Sequence, residues 1–107
     1  AGVGVLGAQG ARVLLRDVSL EACREAGVLV ETQGQVTAEG LEVRGSSGPA
    51  LAAMDDGVLR VESLVARDNA AGLVWADCQG GTAVTLRRVT GQVATGTEGA
   101  CVTGPSP

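Results

Sequence analysis

Apolar residues return to the same relative positions at intervals of roughly 22 to 27 residues along this chain, the spacing of a repeat architecture. The steps Gly2-Val3, Gly27-Val28, Ala50-Leu51, Gly72-Leu73 and Gly99-Ala100 each open a short apolar segment. The next apolar position in each segment is Val5, Val30, Ala53, Trp75 and Val102, and a glycine follows at Gly10, Gly34, Gly57 and Gly80. Units of this kind bury a continuous core only by stacking on one another.

The register continues beyond the glycines. Val13, Val36, Leu59 and Val84 form one apolar column, and Leu15, Ala38, Val61 and Leu86 the next. After a two-residue break come Val18, Leu41, Leu64 and Val89, then Leu20, Val43, Ala66 and Gly91. Within each segment the apolar residues sit two apart, which is the strand period and cannot place them on one face of a helix. Each unit is therefore about three short strands joined by bends. Tight turns fall at Ala8-Gln9-Gly10, Thr32-Gln33-Gly34, Asp55-Asp56-Gly57 and Cys78-Gln79-Gly80, where glycine is expected to supply a positive φ. The longer connections, Glu21–Ala26, Arg44–Pro49, Arg67–Ala71 and Gln92–Glu98, vary in composition. A single helical turn over 20–26, with Ser19 as its cap, is compatible with the first of them.

Coils of this length with β-periodic columns and a glycine corner resemble the right-handed parallel β-helix repeats of the pectate-lyase-like superfamily. The stretch Arg67-Asp68-Asn69-Ala70-Ala71-Gly72-Leu73 looks most like that family's passage from one coil to the next. The resemblance implies an all-β, right-handed parallel β-helix of about 4–5 coils over residues 1–103, followed by a tail or linker at 104–107. It also implies a secreted or cell-envelope setting. Parallel crossovers favour the same hand on general grounds.

Composition bounds the function. The net charge is −4 with eight Arg, no Lys and no His, and no aromatic residue other than Trp75. Scattered arginines without interleaved aromatics argue against a nucleic-acid partner. Apolar runs of four to five residues are too short to span a bilayer. The missing Lys, Ile, Phe and Tyr belong largely to AT-rich codons, which points to a GC-rich bacterial source. Opening on Ala1, without a leader, the chain reads as a segment of a larger protein.

Polysaccharide-cleaving members of the resembling family place an acidic pair beside His and Lys motifs. Here Asp55-Asp56 is the one adjacent Asp pair, and no His or Lys accompanies it. A general acid and a general base must converge on one substrate, so no catalytic residue is assigned. In this register Asp55 stands below Asp77 with Asp56 beside them, a candidate calcium corner, although turn chemistry explains the same residues. No other cofactor is implied. Three cysteines, Cys23, Cys78 and Cys101, occupy different columns and are expected to be free thiols, without the spacing of a zinc site.

Arg16, Glu39, Glu62 and Arg87 form an outward charged column, and Glu21, Arg44 and Arg67 a second. Both read as solvated faces. Trp75 falls in the inward column between Ala53 and Val102, which assigns it to the core. The opposite face of the same strand then carries Leu29, Ala52, Met54, Val74 and Ala76 as a mostly apolar stripe, and such stripes mark contact surfaces. The expected role is a non-catalytic structural or adhesive module, binding a protein partner or its own copies through that stripe or through the open solenoid ends. Glycan binding or processing, with catalytic groups elsewhere in a parent chain, is the alternative. A self-polymerising scaffold is a third.

Overall fold

The computed structural model describes residues 3–91 and 101–103. Nine strands run in order: β1 Val3–Gly7, β2 Arg12–Glu21, β3 Ala26–Val30, β4 Gln35–Arg44, β5 Leu51–Ala53, β6 Val58–Arg67, β7 Val74–Ala76, β8 Ala83–Gly91 and β9 Val102–Thr103. Short and long strands alternate. The short ones stack as a sheet ordered β1-β3-β5-β7, and the long ones as β2-β4-β6-β8-β9, with every pairing parallel. The protein is thus an all-β parallel β-solenoid of about four turns, with no helix among the described residues. The segment 20–26 carries no helical turn: β2 runs on to Glu21, and β3 begins at Ala26.

The long sheet follows the column pattern residue for residue. Val13 pairs with Val36, Val36 with Leu59 and Leu59 with Val84. Beyond the break, Leu20, Val43, Ala66 and Gly91 are likewise aligned. The break has a physical meaning. Arg16 and Asp17 both face outward, as do Arg87 and Arg88 in the fourth coil, so strict alternation skips a beat and the long strand bends. Asp17 at φ 53° and Gly40 at φ 82° mark the bend in the first two coils. Each coil therefore has three straight runs, with the third corner hidden inside a continuous ladder.

The short sheet corrects the expected register. Val5 pairs with Val28, Val28 with Leu51 and Leu51 with Val74, while Gly7, Val30, Ala53 and Ala76 form the second inward column. The outward positions between them are Leu6, Leu29, Ala52 and Trp75. Every step in this sheet has the same offset, the one that separates the cross-coil pair Ser19 and Glu42, namely 23 residues. Aligning Gly2-Val3 and Gly72-Leu73 with Gly27-Val28 therefore slides the first coil by two residues and the fourth by one. Val102 belongs to neither short column, because β9 pairs with β8. The connection Gln92–Glu98 and the step Gly99-Ala100 lie outside the described residues.

The glycine expectation holds at two tight corners, with Gly10 at φ 75° and Gly80 at φ 64°, and fails at the other two. Thr32 and Gln33, and likewise Asp55 and Asp56, hold positive φ values of 47–65°. Each pair is closed by a bond from the following glycine, Gly34 N–H to Glu31 C=O and Gly57 N–H to Met54 C=O, both 2.9 Å. Two central residues at positive φ define the mirror-image turn that matches strand twist. Gly57 is not positive in φ. It is needed because a Cβ there would stand 2.7 Å from the Val30 carbonyl carbon of the coil beneath.

The core lies between the two sheets. Val28, Val30, Val36, Leu41, Val43, Leu51, Leu59, Leu64 and Val84 are all fully or almost fully buried. At the inner corner after the long strands, Cys23, Ser46 and Asn69 are also buried, in the next positions after the positive-φ residues Ala22, Gly45 and Asp68. The Asn69 amide answers the corner's backbone: its Oδ1 accepts from Ser46 N–H at 3.0 Å and its Nδ2 donates to Val43 C=O at 3.1 Å. A buried side-chain amide can do this because it offers a donor and an acceptor together.

Candidate docking face

The outward positions of the short sheet are apolar in every coil. Leu6 and Trp75 are exposed at 52% and 43%, while Ala52 lies closed off between its ladder neighbours Leu29 and Trp75. Trp75, Ala52, Leu29 and Met54, joined by Ala26 at the start of β3, by Pro49 from the corner before β5 and by Glu25 at the rim, line a groove of about 290 Å³. The short strands position these groups. Alternation sends Leu6 and Leu29, the fourth residues of β1 and β3, and Ala52 and Trp75, the central residues of β5 and β7, outward, and parallel stacking sets the four in one row.

Three of the five expected stripe residues, Leu29, Ala52 and Met54, are brought together in this groove. Val74 is not among them: it is 1% exposed and belongs to the core. Ala76 is half-buried and packs against that core. The one-residue slip that misplaces these two also hides Trp75, which is a surface residue and not a core one. The signal for it is present in the chain, since Trp75 follows Ala52 by the same interval that separates Ala52 from Leu29.

At the acidic corner Asp55 and Asp56 are turn residues, as turn chemistry leads one to expect, and Asp77 does not stack on them. Asp77 N–H donates to Ala53 C=O just as Met54 N–H donates to Val30 C=O, so Asp77 stacks on Met54 and not on Asp55. Asp56 is engaged by the coil above. Its N–H donates to Thr82 Oγ1 at 3.0 Å, and its Oδ1 accepts from Gly81 N–H. The described residues contain no group of three His, Cys, Asp or Glu side chains placed to hold a metal.

That upper corner is the irregular one. The coil-to-coil offset is longer by two at the Val58–Ala83 pair than at the Ala53–Ala76 pair, so the turn Asp77–Thr82 carries two inserted residues. Thr82 is buried at 4% and its hydroxyl donates to Gln79 C=O at 3.1 Å. Cys78 and Cys101 are bonded here, with Cα atoms 5.4 Å apart, which corrects the expectation of three free thiols. They are 23 residues apart in sequence, and the bond ties the fourth corner to the residue just before β9, whose pairing with β8 has an offset of only 18. Cys23 is the free cysteine, and it is buried.

The charged columns behave as solvated ladders. Arg16 pairs with Glu39 at 3.2 Å and Arg87 with Glu62 at 3.7 Å, and Arg44 pairs with Glu21. Ser19 Oγ donates to Glu42 Oε1 at 2.7 Å. All lie on the outer face of the long sheet. No helix among the described residues is long and apolar enough to cross a membrane.

The fold and this face define a parallel β-solenoid with one apolar outer sheet. Comparison with protein-family models, curated proteins and solved structures returned no match. The likeness to pectate-lyase-like repeats accordingly stands on the coil pattern alone.

Proposed function

We propose that this chain is a non-catalytic binding module, a rigid β-solenoid that presents the outer face of its short sheet to a protein partner. The observation that carries this reading is Trp75. A half-exposed indole beside a concave apolar groove is the kind of anchor on which interfaces concentrate their binding energy. The rim supplies one carboxylate, Glu25, and the lining is otherwise apolar, which suits an apolar side chain more than a polyhydroxylated ring. The long sheet, with its paired charges, is the solvated side.

The test is capture by the immobilised chain, comparing Trp75→Ala with Arg60→Ala on the other sheet. Loss of partner with the first and retention with the second is the expected result. Equal capture by both variants, or none by the parent chain, would overturn the reading.

One observation favours a second reading. An outward Trp75 offers an aromatic platform on which a sugar ring can stack, and a glycan-binding module uses such a platform. Because Trp75 is the chain's one aromatic residue, its emission reports directly on the groove. A saturable emission shift on titration with oligosaccharides would favour this reading. A flat titration would remove it.

A further inference from the structure

Charge on this molecule is sorted between its two sheets. Every arginine except Arg24, which stands in the corner before β3, lies on one of the long strands β2, β4, β6 and β8. All ion pairs among the described residues lie on those strands as well. The short strands and the tight turns that follow them hold no cation. They hold Glu31, Asp55, Asp56 and Asp77, with Glu25 immediately before β3.

Three of these carboxylates border the groove at Trp75. Glu25 is exposed on its rim. Met54, at the far end of the lining, shares its register position with Glu31 one coil below and Asp77 one coil above. The ladder shows this, since Met54 N–H donates to Val30 C=O and Asp77 N–H to Ala53 C=O. Stacked strands lie about 4.8 Å apart, so Met54 has a carboxylate on either side along the stack, each only half-buried. Glu25 and Glu31 flank β3, with about 20 Å of extended chain between them. Between these acidic margins lies the apolar recess, floored by Ala52, which is 6% exposed.

We propose that the occupant of this groove is an apolar peptide segment flanked by basic residues. Its apolar side chains seat over Ala52, and its arginines or lysines meet Glu25 at one margin and Glu31 and Asp77 at the other. The proposal rests on the reading of this face as a protein-docking surface and adds the chemistry of the partner. Complementary charge across an interface speeds encounter and selects partners, and like charge rejects them. Arginine gains a second attraction here. Trp75 and Asp77 are alternate residues on the same side of β7, so a guanidinium can lie over the exposed indole while it pairs with the carboxylate. A second copy laid face to face would set these carboxylates against their own kind, and a polyanionic glycan would meet the same repulsion.

The experiment uses the 107-residue chain and three dye-labelled synthetic peptides of equal length, read by fluorescence anisotropy. All share a leucine-valine centre, flanked by arginines in the first, glutamines in the second and glutamates in the third. The arginine peptide should bind about tenfold or more tightly than the glutamine peptide, and the glutamate peptide not at all. That advantage should shrink at high salt. Glu31→Gln combined with Asp77→Asn should remove most of it and leave the glutamine peptide unchanged. Trp75→Ala should weaken both peptides, with circular dichroism unaltered in every variant. Equal binding of the arginine and glutamine peptides would overturn the basic partner and leave the docking face standing. Binding of none of the three would overturn both. An arginine peptide that binds undiminished to Trp75→Ala, or to the doubly neutralised variant, sits elsewhere on the molecule and equally overturns the proposal.

Discussion

The long sheet and the short sheet share one core yet face the solvent in opposite ways. Outside, the long sheet carries Arg16, Glu39, Glu62 and Arg87 as stacked, mostly complementary charges, while the short sheet carries Leu6, Leu29, Ala52 and Trp75. Parallel stacking repeats each choice in every coil, so a small preference per position becomes a whole face. A long strand can carry a charged row at little cost, because its inward alternates already bury enough to hold the ladder. The short strands contribute as few as three residues each and leave their outward row apolar. One sheet is a charged wall and the other an apolar one.

The contrast is sharpest when one large apolar residue is cut back on each sheet. Leu64, 1% exposed and stacked between Leu41 and Val89, sits in the core. Leu64→Ala should lower unfolding free energy by about 2–5 kcal/mol through lost burial and a residual cavity. Trp75→Ala should change the denaturation midpoint far less, while removing the partner binding proposed for the groove. Comparable losses from both would mean that Trp75 is as structural as Leu64, and the distinction between the faces would fail.

Next in size is the crosslink that ties the irregular fourth corner to the last strand. It closes a loop of 23 residues, which corresponds to roughly 3 kcal/mol of constraint on the unfolded chain. Cys78→Ser should therefore lower the urea midpoint under oxidising conditions and leave the reduced protein nearly unaffected. An unchanged midpoint in both would show that the stack alone holds this coil. The smallest effect is expected on the charged wall. Arg87→Ala, breaking an exposed pair with Glu62, should cost about 0–1 kcal/mol and less still at high salt. A larger loss would mean that the wall, too, depends on its outer face.

The same contrast explains which parts of the fold are legible in the sequence. Each long strand announces its register twice, by alternation and by the doubled outward pair, and a slip of one residue would bring charges such as Arg16 and Glu39 into the core. The short strands read Ala-Gly-Val-Leu-Val and Leu-Ala-Ala. Every residue there is small or apolar, so no polar residue resists a slip of one or two, and Trp75 is lost to the interior on that account. The inserted residues at Asp77–Thr82 disguise the constant spacing further, and with it the true neighbours of Asp77. Non-glycine residues at positive φ, such as Thr32 and Asp55, run against local preference. Only the ladder on either side of them holds such conformations, and a local reading of the turn does not contain it.

The recurring offset of 23 residues gives the molecule a unit of growth. A duplicated stretch of that length, spliced in at equivalent points of two neighbouring coils, leaves every column in phase and lengthens the stack by roughly 4.8 Å. A duplication one residue shorter turns its inward side chains out and its arginines in. For a gene of this kind, length is selected in whole turns, and the corners are where odd residues find room.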